Sequence, residues 1–228
     1  MQKQVVNWQL FDNPEAIRQA ACQAIVKDAA EAISLRGRYS IVLAGGSTPR
    51  DVYRLLRDAQ TDWSKWHVFY GDERCLPLEH ADRNSRMAQE AWLNHVNIPA
   101  DQIHPIPAEL GPQAGAAAYA STLAPEGEFD LVLLGLGEDA HTASLFPGHV
   151  WDDAGAAAIP VFDAPKPPPE RVSISASRLS RARRVIYLVT GAGKRAAVQQ
   201  WRAGEHIPAA AITPQTGVEV WLDQAAAN

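Results

Sequence analysis

The sequence predicts an α/β fold, with three α/β/α layers around a mostly parallel central sheet. Two observations carry that prediction. Short apolar runs of strand length alternate along the chain with stretches of helical spacing, the pattern of βαβ units whose sheet is covered on both faces. Glycine-bearing loops follow several of those runs, where a strand gives way to the next element.

The elements follow in order. Residues 13–36 carry helical apolar spacing, with Asn13-Pro14 as a cap-and-start pair and Gly37 as a stop. Residues 39–44 read as a strand that runs into Gly45-Gly46-Ser47-Thr48-Pro49, and Pro49 suits the first turn of a helix over 50–58. A second strand spans 66–70 and ends in Gly71-Asp72-Glu73-Arg74; helices follow over 84–94 and 113–123. The apolar run 129–134 is a buried strand, and further strands fall at 171–175 and 184–189. Gly191-Ala-Gly193-Lys194 leads into a helix through Trp201, and 218–222 form a last short strand. Residues 164–169 are proline-rich, short enough for a stiff surface loop rather than a linker. With no internal repeat and no shift of composition, residues 1–228 read as one domain.

Bulk properties exclude several classes. At 228 residues, 46% hydrophobic and 21% charged, the chain is neither disordered nor fibrous. A net charge of −5 gives no reason to expect nucleic acid or an anionic membrane as partner. The first residues lack the apolar core of a secretory signal, and no apolar stretch is long enough to span a bilayer, so a cytoplasmic protein is expected. Cys22 and Cys75 are too few for a disulfide framework, and no Cys/His metal spacing occurs. Cys22 reads as a helix core position. Cys75, beside Arg74, reads as a bystander, with a somewhat acidified thiol as the alternative.

Four loops carry candidate chemistry. The first is Gly135-Leu-Gly-Glu-Asp-Ala-His-Thr-Ala-Ser-Leu-Phe-Pro-Gly148, in which Asp139 stands two residues before His141 at a strand end. Open α/β proteins bind ligands there, and a carboxylate so placed can orient an imidazole as a general base. The same string fits the dinucleotide fingerprint as Gly135-x-Gly137-x-x-Ala140, but Glu138 and Asp139 would then face a pyrophosphate. Ala140 is tolerable at negative φ and strained in a left-handed position.

In the second loop, Gly45 and Gly46 let backbone N–H groups approach an anion while Ser47 and Thr48 add hydroxyl donors at a helix start. The third puts Asp72, Glu73 and Arg74 at a sheet end, with a solvated surface ion pair as the bland alternative. Arg171, opening a strand, and Lys194, opening a helix, are candidate cations for a phosphate.

Taken in order, these motifs resemble those of the 6-phosphogluconolactonases, which share a superfamily with the glucosamine-6-phosphate isomerases/deaminases. The Asp139-x-His141-Thr-Ala-Ser-Leu-Phe-Pro-Gly148 string is the specific part; Ala-Gly45-Gly46-Ser47-Thr48-Pro and Gly-Asp72-Glu-Arg74 support it. Asn84 takes the place of a helix-opening asparagine, but Arg83 stands where relatives usually carry serine, which puts an adjacent hydroxyl contact in doubt.

The resemblance implies a modified Rossmann-like fold of the sugar-phosphate isomerase type. It implies hydrolysis of 6-phospho-D-glucono-1,5-lactone, the second step of the oxidative pentose phosphate pathway, with neither cofactor nor metal; the chain is expected to act as a monomer. His141 would take a proton from water, Asp139 would fix the imidazole and Arg74 would stabilise the oxyanion. Gly45, Gly46, Ser47, Thr48, Asp72, Asn84, Arg171 and Lys194 would bind the substrate and its phosphate.

Alternatives stay open. Ser144 is a rival nucleophile, though no Gly-x-Ser-x-Gly elbow supports it. Glucosamine-6-phosphate deamination is the nearest competing activity. That chemistry uses a glutamate shortly after the histidine, whereas this chain has no carboxylate from Thr142 until Asp152. A sugar-phosphate sensor and a nicotinamide-dependent oxidoreductase are the more distant readings.

Overall fold

The computed structural model describes residues 4–152 and 155–228. Strand β1 (Val6–Phe11) leads into the long helix α1 (Pro14–Arg36), then β2 (Tyr39–Leu43), α2 (Ser47–Leu56) and β3 (Trp66–Tyr70). Next come β4 (Asp72–Arg74), α3 (Asn84–Ala91), β5 (Ile103–His104), α4 (Pro112–Leu123) and β6 (Leu131–Leu134). The order continues with β7 (Ala158–Val161), β8 (Arg171–Ile174), α5 (Ala176–Ser180) and β9 (Val185–Val189). It closes with α6 (Arg195–Arg202), β10 (Val218–Asp223) and α7 (Gln224–Ala227).

Local chemistry sets these boundaries. The Asn13 side chain accepts from the Ala16 N–H at 2.9 Å, Pro14 opens α1, and Gly37 ends it at φ 74° by donating to Ile33. Ile17, Ala21, Ile25, Ala29 and Ala32 form the buried stripe of that helix, while Cys22 is only half-buried on its flank. Helix α2 begins at Ser47, three residues earlier than its composition suggests, because Gly46 at φ 102° turns the chain directly into it. Helix α3 stops at Ala91, and residues 93–95 continue as a 3-10 turn. All residues of β2, β6 and β9 are buried, as expected of strands covered on both faces.

The main sheet has the order β1-β10-β9-β6-β2-β3-β5, and all its pairs are parallel. With helices packed on it, this is the three-layer α/β/α architecture. The chain runs outward from β2 to β3 and β5, then returns to the other side of β2 with β6, β9 and β10. That reversal makes a switch point between β2 and β6. Because the strands are parallel, the carboxyl ends of β9, β6, β2 and β3 stand side by side at one edge.

Three strands do not join that sheet. β8 pairs antiparallel with β4 and β7 in a separate sheet of order β4-β8-β7. Its partners were hidden in the sequence: β4 is Asp-Glu-Arg, and β7 contains Pro160. Proline is tolerated there because β7 is an edge strand. β1 escaped notice for a related reason: it is a half-buried edge strand without a continuous apolar run.

Candidate active site

A cavity of about 210 Å³ opens at the carboxyl edge of the sheet, at the switch point. The loop after β2 contributes Gly45 and Gly46, the loop after β3 Gly71, Asp72 and Arg74, and the loop after β6 Gly137 and His141. Lys194 comes from the loop after β9, Asn84 from the start of α3, Lys166 from the segment between β7 and β8, and Arg171 from β8. Asp139 stands behind His141. Ser47 and Thr48 do not reach the cavity wall: Ser47 is exposed, and the Thr48 hydroxyl shares a 2.8 Å hydrogen bond with Thr190. Helix α2 has no side-chain cap, so its first-turn N–H groups are open to an anion.

His141 and Asp139 form one unit. The Asp139 carboxylate takes the hydrogen bond of His141 Nδ1. Burial works to raise the Asp139 carboxyl, but the hydrogen bond and charge of His141 outweigh it and hold the group below its ordinary range. An ionised carboxylate only accepts, so Nδ1 carries the proton, which leaves Nε2 as the ring nitrogen that can take one up. The imidazole is four-fifths buried and packs on Phe146, with ring centres 4.8 Å apart.

Gly137 is required here, since a Cβ would run into both the imidazole and the Asp139 carboxylate. The loop is stitched by Gly137 N–H to His141 O at 2.7 Å and by the Thr142 hydroxyl to Gly135 O at 2.9 Å. Ala140 holds φ 65° and Ala143 φ 48°, the left-handed region that favours glycine. Ala140 is therefore in the strained arrangement rather than the tolerable one.

The corner after β3 is buried, not a solvated loop. Glu73 is fully buried and accepts from the backbone N–H groups of Arg74 at 2.9 Å, Asn84 at 2.7 Å and Ser85 at 2.8 Å. It thereby caps α3 from outside the helix, where Arg83 at the N-cap position supplies no side-chain cap. The Arg83 guanidinium instead turns inward, 3.4 Å from Glu73 and 2.9 Å from Glu109, and donates to the Ile106 carbonyl at 2.8 Å. The N-cap residue of α3 is thus a buried ionic strut.

Asn84 donates from Nδ2 to the Asp72 carbonyl at 2.9 Å and to Asp72 Oδ1 at 3.0 Å. Its side chain fills the space a Cβ on Gly45 would occupy, so that glycine serves a close approach. Ser144, fully buried, donates its hydroxyl proton to Asp72 Oδ2 at 2.6 Å and not to His141. No serine–histidine pair is formed there.

The far side of the cavity is cationic. Arg74 and Arg171 are register partners on the antiparallel strands β4 and β8, so two like charges face each other on one sheet face. Such a pair is destabilising by itself. Arg74 donates to the Asp82 carbonyl from Nη1, while its buried Nε has no partner among the described residues. Burial lowers the Arg171 pKa, with Asp72 opposing and Arg74 reinforcing the shift. Burial likewise lowers Lys194, opposed by Glu138 and reinforced by Lys166.

Sequence reasoning missed Lys166, which sits in the proline-rich segment that lines the cavity instead of serving only as a surface loop. Glu73, read as one of three charges at a sheet end, and Arg83, read only for the hydroxyl it lacks, hold the corner by contacts that no local pattern announces. Cys75 is not acidified: burial and the neighbouring Glu170 push its thiol up to about 11. No helix among the described residues is long and apolar enough to cross a membrane.

Residues 12–221 match the family of glucosamine-6-phosphate isomerases/6-phosphogluconolactonase. A 6-phosphogluconolactonase of Synechocystis is 39% identical over 223 residues, covering 92% of each chain. One of Nostoc is 40% identical over 210 residues, covering 86% of each. Among solved structures, the 6-phosphogluconolactonase of Trypanosoma brucei superposes with a TM-score of 0.88 at 30% identity, covering 98% of both chains.

Proposed function

The chain belongs to the family of glucosamine-6-phosphate isomerases and 6-phosphogluconolactonases, and on that premise we propose that it hydrolyses 6-phospho-D-glucono-1,5-lactone to 6-phospho-D-gluconate. It would do so as a monomeric, single-domain cytoplasmic enzyme in the oxidative pentose phosphate pathway. The observation that carries this reading is the His141–Asp139 unit, aimed at a cavity whose opposite side is cationic.

Water beside His141 gives its proton to Nε2 and attacks the lactone carbonyl at C1. Asp139 holds the imidazolium that results. The carbonyl π electrons move to oxygen, and the guanidinium of Arg74, on the cavity wall, faces the negative charge. Collapse of the tetrahedral centre breaks the bond between C1 and the ring oxygen, which takes the proton back from His141. The product is the open-chain acid and the imidazole returns to its starting state. At the other end, the Gly45–Gly46 backbone and the cationic side of the cavity, Lys194 among it, hold the phosphate and so position the reacting carbon.

Two observations weigh against deamination of glucosamine 6-phosphate. Asp72 is the carboxylate on the cavity wall, and both its oxygens already accept from Asn84 and Ser144. The segment after His141 supplies no acid for ring opening. The deciding experiment is a paired assay on purified protein, measuring acid release from the phosphorylated lactone and ammonia release from glucosamine 6-phosphate. Acid release alone supports lactone hydrolysis; ammonia without acid release transfers the assignment to deamination. Tight sugar-phosphate binding with neither turnover would indicate a sensor.

A further inference from the structure

The proline-rich segment between β7 and β8 is held in one shape by the side chain that follows it. Arg171, nine-tenths or more buried, donates from Nη2 to the Lys166 carbonyl at 2.9 Å and to the Pro167 carbonyl at 3.4 Å. From Nε it donates to the Pro168 carbonyl at 3.1 Å. The Ala164 N–H closes the same loop onto the Pro169 carbonyl at 3.0 Å. The guanidinium fork thus grips three consecutive carbonyls instead of projecting freely into the cavity.

Lys166, at the apex of that loop, lines the cavity together with Lys194 from the loop after β9. The two ammonium groups are close enough for Lys166 to depress the Lys194 pKa, after burial and against Glu138. Neither belongs to an ion pair; Lys27 is the sole lysine in one among the described residues. A backbone pinned by an arginine and stiffened by prolines brings a flexible side chain to the cavity mouth at reduced entropic cost.

We propose that Lys166 is a phosphate-binding residue of this site, facing Lys194 across the cavity mouth, and that Arg171 acts chiefly as the positioning residue that presents it. This inference rests on the lactonase reading, because it needs a substrate with a terminal phosphate. It divides the cationic end into two functions: Lys166 and Lys194 touch the phosphate, and Arg171 shapes the arm that carries Lys166.

Steady-state hydrolysis of the phosphorylated lactone, compared with the unphosphorylated 1,5-gluconolactone, tests it. Lys166 is exposed, so Lys166→Ala keeps the fold. Loss of a charge-assisted contact is expected to raise KM for the phosphorylated substrate roughly 10- to 100-fold with kcat nearly unchanged. Hydrolysis of the unphosphorylated lactone should not change, and Lys166→Arg should restore most of the affinity.

Arg171→Ala should raise the same KM. Since it acts through Lys166, the double variant Lys166→Ala/Arg171→Ala should be no worse than Arg171→Ala. An unaltered KM in Lys166→Ala, or effects of the two substitutions that multiply, overturns the proposal. If the unsubstituted protein shows no preference for the phosphorylated lactone, the lactonase reading fails, and this inference with it.

Discussion

Glu73 and Asp139 each leave the sheet on a loop after a parallel strand, and each stands just behind the cavity wall, yet their surroundings are opposite. Glu73 has no exposure and three backbone donors, with the Arg83 guanidinium beside it. Asp139 has a one-third exposed side chain, a single imidazole as its side-chain partner, and a neighbour, Ala140, in a left-handed conformation. The corner at residues 71–85 is saturated, and its polar groups hold backbone. The loop at residues 135–148 is strained and leaves a nitrogen lone pair uncommitted. A buried carboxylate with every oxygen engaged serves the scaffold, whereas one that engages a single titratable ring prepares that ring for chemistry.

Substitutions on the two sides should therefore separate activity from stability. The largest effect is expected from His141→Ala, which should lower kcat for lactone hydrolysis roughly 10²–10⁴-fold, after correction for spontaneous opening, with little change in unfolding midpoint. A variant turning over at the original rate removes His141 as the base.

On the other side, Glu73→Ala leaves three buried N–H groups without their acceptor and strips the Arg83 guanidinium of one of its two carboxylate neighbours, Glu109 remaining. Urea unfolding should report a loss of about 3–5 kcal/mol. A loss below 1 kcal/mol would mean that the corner is not the scaffold described here.

Gly137→Ala probes the join between the two kinds of site, because its methyl group displaces the imidazole. We expect kcat to fall about 10²-fold, the order of effect of a small misplacement of a reacting group, with KM less affected. Wild-type kcat in this variant would show that the ring position is not critical.

Ala140→Gly relieves a left-handed alanine. It should stabilise the protein by up to about 1 kcal/mol, the left-handed penalty less the added chain entropy of glycine, read as a Tm rise of about 2–4 °C. A lower Tm would remove strain as a property of this loop.

The smallest expected effect is on acid stability. Asp139 is depressed in the folded protein, so its contribution is complete above the ordinary aspartate value of about 3.9 and disappears as pH falls through its lower folded value. Asp139→Asn should flatten that acid limb and leave stability near neutral pH with little slope from this site. An unchanged limb would show that the pair does not couple to folding.

Much of this organisation was legible in the residues. Asn13-Pro14 and Gly37 marked α1, and apolar runs marked β2, β3, β6, β9 and β10, because caps and hydrophobic spacing act within a few residues of themselves. The Asp139-x-His141 string and the loops around Gly45, Asp72 and Lys194 gave the elements of the site, since glycines and charges after a strand are local signals too. Less legible were β4 and β7, whose charges and proline read as loop.

What the chain determined by itself was the kind and order of its elements and the residue types at the sheet edge. Only the tertiary structure decided which of those residues stay available. Ser144 looked free until it met Asp72, 72 positions away, and the Thr48 hydroxyl looked free until it met Thr190. Arg171 looked like a free cation until the carbonyls of its own loop engaged it. The reason is physical: element type follows from short-range sterics and spacing. Whether a donor or acceptor remains uncommitted depends on every group that folding brings within about 3 Å of it.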